Sequence, residues 1–165
     1  MLETARCVLT PPVAGDLKSV QTLYGNEKVR AFLGGVRSSE EVERAFTEML
    51  SAPGHRWAIR RREDHAFVGM VSLDPHHDGE ATEISFQLLP EFWGSGFAAE
   101  TVGEVIRHAF DEIGLGQLLA ETQAANTASR RLLVRLGMKE WKRVERFGAE
   151  QVIYTLEKGR AGVQG

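Results

Sequence analysis

The stretch Thr82–Glu100, T-E-I-S-F-Q-L-L-P-E-F-W-G-S-G-F-A-A-E, carries a strand pattern into a glycine turn and then into a helix. From Glu83 to Leu89 the residues alternate, with Ile84, Phe86 and Leu88 on one face and Glu83, Ser85 and Gln87 on the other. Beyond the turn, Val102, Val105, Ile106, Ala109, Phe110 and Ile113 trace one helical face, and Gly114 stands where a C-terminal cap belongs. Gly94 and Gly96 therefore sit between a strand and a helix N-terminus. Such a turn exposes backbone N–H groups where the helix dipole is positive, which suits an anion such as a phosphate without requiring a lysine.

Glycine turns of this kind have several readings. A P-loop requires Lys and then Ser or Thr after its last glycine, and Phe97 and Ala98 stand here instead. A dinucleotide fold is a closer match, because Gly94, Gly96 and Ala99 satisfy G-x-G-x-x-A and Glu121 ends the next strand-like run. Against it, Pro90–Trp93 separate the strand from the first glycine, and too little chain follows Glu121 for that sheet. The plain alternative is a tight strand-to-helix connection with no ligand.

The chain has 165 residues, 42% of them hydrophobic, which fits one globular domain with a substantial core, assigned to 1–157 with a flexible tail at 158–165. Lys+Arg 20 against Asp+Glu 23 leaves a net charge of -3, so neither nucleic acid nor a membrane surface is an expected partner. A lone cysteine, Cys7, excludes an internal disulfide and any Cys-based metal cluster. No basic segment leads into an apolar run, and no segment approaches the roughly 18 apolar residues that span a bilayer, so a cytoplasmic protein is expected.

Arg6–Thr10 reads as a strand at or near a sheet edge, since Pro11 and Pro12 stop it. Asp16 is placed to cap a helix carrying Leu17, Val20 and Leu23. The segment 26–37 reads as a helical turn ending in the loop Gly34-Gly35, and Ser38 with Glu41 forms the signature of a capping box before a second full helix. Arg56–Arg61 and Ala66–Leu73 read as a hairpin. His76 and His77 lie in the following turn and are expected to be solvated rather than metal ligands, because neighbouring residues there point apart. Gln117–Thr122 is a strand, Asn126 caps a helix ended by Gly137, and Met138–Arg146 with Gln151–Leu156 closes the chain as a hairpin.

The order is thus strand, two helices, three strands, helix, strand, helix, two strands. With W-G-S-G-F-A-A-E at Trp93–Glu100 and N-T-A-S-R-R-L-L-V-R-L-G-M at Asn126–Met138, the chain resembles the GNAT superfamily of acetyl-CoA-dependent N-acetyltransferases, and within it the RimJ/RimL-like branch. The resemblance is specific over about Glu83–Met138. It implies an α+β fold with a mostly antiparallel central sheet of six to seven strands and about four flanking helices. It further implies that backbone N–H groups of Gly94, Ser95, Gly96, Phe97, Ala98 and Ala99 hold the coenzyme A pyrophosphate. Gln87, Leu88 and Leu89 pair with the pantetheine arm, and Asn126 and Ser129 hold the cofactor arm.

The same resemblance makes Glu83 the base that takes the amine proton. Many relatives have a tyrosine as thiolate acid where this chain has Leu133, which leaves Ser129 or water for that role. Tyr24, Phe32, Glu83 and Ser85 are the expected acceptor contacts. The expected activity is acetyl transfer from acetyl-CoA to a primary amine, either a protein N-terminus or a small molecule, by a monomer or homodimer. The rivals are a catalytically weak acyl-CoA sensor that kept the cleft and an NAD-binding oxidoreductase.

Overall fold

A computed structural model describes residues 1–159. The elements are β1 (Leu2–Glu3), β2 (Cys7–Thr10), α1 (Leu17–Tyr24), α2 (Glu27–Arg30), α3 (Ser39–Ser51), β3 (His55–Arg61), β4 (Phe67–Pro75), β5 (Thr82–Leu88), α4 (Phe97–His108), β6 (Gln117–Gln123), α5 (Thr127–Arg135), β7 (Lys139–Arg146) and β8 (Ala149–Glu157). Eight strands form one sheet in the order β1-β2-β3-β4-β5-β6-β8-β7. The sheet exceeds the expected six to seven strands by β1, whose two residues carry no readable alternation. The fifth helix is α2, a single turn capped by Asn26, whose Oδ1 accepts from the N–H groups of Lys28 (2.9 Å) and Val29 (3.1 Å). The expected tail at 158–165 falls mostly outside the described residues.

Every neighbouring pair is antiparallel except β5–β6. That parallel pair is joined only at Thr82↔Leu118 and Glu83↔Leu119. From Ile84 onward β5 keeps its partner on the β4 side, down to Gly69↔Leu88, and has none on the other. The two strands diverge there, so an open backbone edge lies in the middle of the sheet.

Helices cover both faces. Arg56 lines a cavity under α1 and α3, whereas the next residue, Trp57, meets His108 of α4 edge-on at 5.6 Å, so the strand alternation puts these helices on opposite sides. Val20, Leu23, Val42 and Phe46 are buried beneath the first layer; Val102, Val105, Ile106 and Phe110 are buried beneath the second. These are the apolar stripes read from helical spacing. α4 continues through a wider turn at Ala109–Ile113 and is stopped by Gly114 in the left-handed region, at φ 86°.

Two local expectations were met differently. Ser38 does cap α3, its Oγ accepting from the N–H of Glu41 at 3.2 Å. Asp16 precedes α1 but bonds no helix N–H; its carboxylate accepts from the Val13 N–H at 3.0 Å and pairs with Arg60 of β3, fastening α1 to the sheet.

Candidate functional site

The glycine turn lies at the open end of β5. A short helical turn, Pro90–Phe92, buries Phe92 against Phe97 and leaves Glu91 exposed. Gly94 and Gly96 then adopt φ of 75° and 83°. Only glycine takes that conformation cheaply, and a Cβ at Gly94 would meet nothing within 4 Å. Gly96 is the N-cap of α4, and no side chain accepts a hydrogen bond from the first-turn N–H groups. Phe97 buries its ring but its backbone remains part of this donor set, with Ser95, Ala98 and Ala99 alongside. An anion approaching the turn therefore meets open donors and the positive helix end.

Glu100, also in the first turn of α4, is engaged by the β1–β2 segment. It accepts from the Arg6 N–H (2.9 Å), from Arg6 Nε (2.8 Å) and from the Thr4 hydroxyl, and these bonds hold its carboxyl below the usual range despite partial burial. The β1–β2 hairpin is thereby tied to α4, and the Arg6 guanidinium stacks 4.0 Å above the Phe97 ring.

The open edge of β5 has a defined polarity. Leu89 N–H donates to Val68 O at 2.9 Å, so by the alternation of an antiparallel ladder the N–H of Leu88 points to the unpaired side. The Leu88 carbonyl faces that side too, where it accepts from Trp93 Nε1 at 2.9 Å. Across the gap, Asn126 caps α5, its Oδ1 accepting from the Ser129 N–H at 3.2 Å. Leu133, two turns further in, is 1% exposed and packs in the core. The cleft between β5 and β6 can accept an extended amide-bearing arm, with the glycine turn at one end for its phosphates.

Glu83 stands where β5 and β6 separate. It lies across from Asp74 in the β4–β5 register and shares a face with Ser85 and Gln87. Burial is the largest influence on its carboxyl and pushes it above the usual glutamate range; the nearby charge of Glu121 adds to this, while His76 and His77 oppose it. A half-buried carboxylate with raised proton affinity suits general-base work near neutral pH.

The cluster beside Glu83 was not legible in the sequence. His76 is 4% exposed, contrary to the expectation of a solvated turn residue; only His77 is exposed. The His76 Nδ1 accepts from the Asp78 N–H at 3.3 Å, so its Nε2 carries the hydrogen donated to Glu121 Oε1 at 2.8 Å. Arg146 Nε lies 2.9 Å from Glu121 Oε2 without being aimed for a hydrogen bond, so that contact is ionic. Arg146 spends its other two nitrogens on Asp78 and holds that carboxyl down at about 2. Glu121, the acid a dinucleotide fold would need free for a ribose, is thus engaged at both oxygens, and a sheet with one parallel pair among antiparallel ones removes that reading.

On the face shared by Glu83, Ser85 and Gln87, a cavity of about 250 Å³ opens under α1 and α3. Of the residues expected at the acceptor, Tyr24 and Ser85 line it and Glu83 does not; Gln87, expected beside the pantetheine arm, lines it as well, as do Arg37, Arg56 and Asp74, the last two without any signal in the sequence. Phe32 does not line it; this residue sits partly exposed in the turn after α2. Gln87 Oε1 is buried and has no hydrogen-bond partner among the described residues. No helix of the described residues is long and apolar enough to cross a membrane.

Comparison with known proteins agrees with this geometry. A family model described as an acetyltransferase (GNAT) domain matches residues 6–139. An uncharacterised N-acetyltransferase of Bacillus subtilis (strain 168), YoaA, is 28% identical over 150 residues, covering 85% of this chain and 83% of that protein. Among solved structures, a GNAT-family acetyltransferase from Bacillus anthracis superposes with a TM-score of 0.84 at 17% identity, covering 94% of this chain and 97% of that one. The spermidine N-acetyltransferase of Vibrio cholerae, solved in complex with CoA and spermine, gives 0.83 at 17% identity, covering 95% and 98%.

Proposed function

The chain belongs to the GNAT acetyltransferase family and is an acetyl-CoA-dependent N-acetyltransferase, and from that premise we propose that it acetylates a primary amine by direct attack with Glu83 as general base. The observation that carries the proposal is the divergence of β5 from β6 immediately after Glu83. It puts an open backbone edge, a glycine-capped helix N-terminus and a carboxylate of raised proton affinity at one cleft. The turn and last-helix motifs support placement in the RimJ/RimL-like branch, and the proposal is of a cytoplasmic enzyme acting as a monomer or homodimer.

Bound acetyl-CoA supplies the thioester. Backbone N–H groups from Gly94 to Ala99 hold its pyrophosphate, and the Gln87–Leu89 edge holds its pantetheine arm. Asn126 and Ser129 border the other side of the cleft. The Leu88 N–H, pointing into the gap, polarises the thioester carbonyl and stabilises the oxyanion. Glu83 removes a proton from the acceptor amine, directly or through water, so that a neutral nitrogen attacks. Leu133 is sealed in the core and supplies no proton, so the departing thiolate takes one from Ser129 or water; a thiolate is far less basic than an alkoxide and demands only a weak acid.

A second reading, an acyl-CoA sensor with little turnover, draws on that same Leu133. The two separate in one experiment that follows free thiol release from acetyl-CoA with a panel of amines, beside the melting temperature with acetyl-CoA. Both readings require acetyl-CoA to stabilise the fold, by about 2.7 kcal/mol at 100 times its dissociation constant. Only the enzyme releases coenzyme A when amine is added; stabilisation without release under every amine removes the catalytic proposal.

A further inference from the structure

We infer that the cavity under α1 and α3 takes an amine that also carries a carboxylate on an apolar body, an amino acid or short apolar peptide, and that Arg37 binds the carboxylate. The inference rests on the amine-acetylation reading above and names its acceptor class.

Three charged side chains line the cavity: Arg37, Arg56 and Asp74. Arg56 and Asp74 neutralise one another through a 3.1 Å contact between Nη2 and Oδ1. Arg37 remains. Its guanidinium makes no hydrogen bond among the described residues, and its nearest carboxylate is Glu41, 3.9 Å away and exposed, a pairing worth little in water. Its main chain is held beside Tyr24, because its backbone N–H donates to Tyr24 O at 3.0 Å.

The surroundings add positive potential. Arg30 bonds the carbonyls of Gly35 (2.8 Å) and Leu33 (2.6 Å), and its guanidinium stands 5.9 Å from the Tyr24 ring centre. Burial and then the proximity of Arg37 lower its proton affinity, so the two guanidinium groups feel each other. Tyr24 lines the same cavity, and burial raises its phenol, which stays protonated and able to donate. A guanidinium and a phenol O–H lining one cavity are donors that a carboxylate satisfies, with arginine offering a planar two-pronged contact.

The opposite requirement is met on β5. Ser85 and Gln87 line the cavity on the Glu83 face, and the buried Gln87 Oε1 awaits an N–H donor. Phe46, Met49 and Met70 add apolar surface to the same cavity. An acceptor that fills the site therefore has its nitrogen toward β5, its anion toward Arg37 and hydrocarbon between. A polyamine would bring cations to a cavity that already holds an uncompensated one.

The test compares leucine, leucinamide and spermidine as acceptors with acetyl-CoA, and measures the thermal shift each produces on the coenzyme A complex. Leucine should exceed leucinamide by about 10- to 100-fold in kcat/KM, the range of a charge-assisted hydrogen bond. Loss of the carboxylate makes the amine less basic and more often neutral, so amine reactivity alone biases the ratio the other way. Arg37→Gln should collapse the ratio through KM, and Arg37→Lys should restore part of it. Leucinamide or spermidine turned over better than leucine, or a ratio indifferent to Arg37→Gln, overturns the acceptor assignment while leaving amine acetylation standing. No thiol release with any amine, beside a leucine-specific thermal shift that Arg37→Gln abolishes, removes the transfer reading and leaves the carboxylate site intact. Absence of both release and shift overturns the site as well.

Discussion

Gly69 on β4 is the position where a single methyl group tests how tightly the cleft is set. It pairs with Leu88, and a Cβ built on it would lie 2.2 Å from the Gln87 carbonyl oxygen and 2.8 Å from Leu88 Cα. Both obstacles are backbone, and contacts under 3.0 Å are essentially never seen, so β5 must retreat by about 0.8 Å or more at the Gln87–Leu88 edge. Gly69→Ala should cost roughly 1–3 kcal/mol as overpacking. At about 2–4 °C per kcal/mol for a chain of this size, the melting temperature falls by about 2–12 °C. The same displacement moves the Leu88 N–H, and a shift of this size beside the reacting atoms can lower turnover by about 10²-fold. The assay pairs thermal melts with kcat/KM and acetyl-CoA affinity. Gly79→Ala serves as control, since nothing lies within 4 Å of its Cβ and the change should stay within about 0.5 kcal/mol. If Gly69→Ala matches the parent in melting temperature and in acetyl-CoA affinity, the close approach of β4 to β5 does not define the cleft and the reasoning fails.

Glu83→Gln should reduce turnover by roughly 10² to 10⁴ with acetyl-CoA affinity nearly kept, the deficit shrinking at high pH where the amine is neutral unaided; an unchanged rate at neutral pH removes Glu83 as base. Because burial raises the Glu83 carboxyl, the folded chain binds more protons than the unfolded one between the ordinary glutamate value and the raised value. Its stability contribution is therefore full below that window and lost as pH rises through it, so Glu83→Gln should be the more stable protein above the window, and a lower melting temperature there contradicts the assignment. Gly96→Val forces a branched side chain into φ 83°, at a cost of at least about 1 kcal/mol, and blocks approach to the helix end. It should abolish stabilisation by acetyl-CoA, and undiminished stabilisation would refute the pyrophosphate assignment. His76→Ala leaves Glu121 Oε1 buried without its donor and should cost about 1–3 kcal/mol in urea denaturation; a loss under about 0.5 kcal/mol would show that water replaces the imidazole.

What could be read from the chain alone follows from near-neighbour physics. The alternation of Glu83–Leu89, the stripe from Val102 to Ile113, the caps at Ser38 and Asn126, and the left-handed glycines at 94, 96 and 114 all express spacing or φ preference within a few residues, and each element formed where that spacing put it. The acetyltransferase family was legible for the same reason, since its glycine turn and its last helix are each continuous motifs. Other features depended on contacts across the sequence. His76 read as a solvated turn residue because its partner Glu121 lies 45 positions away, and burial follows from that partner and not from its neighbours. Arg37, Tyr24 and Ser85 share no local pattern, and only the packing of α1 and α3 over β4 and β5 brings them to one cavity. Gly69 carries no local signal, and only the pairing of β4 with β5 puts the Gln87 carbonyl in the way of a side chain there. Periodicity states which face of an element is apolar; where two strands part, and which charges are left there without partners, is decided by long-range packing, which local spacing does not encode.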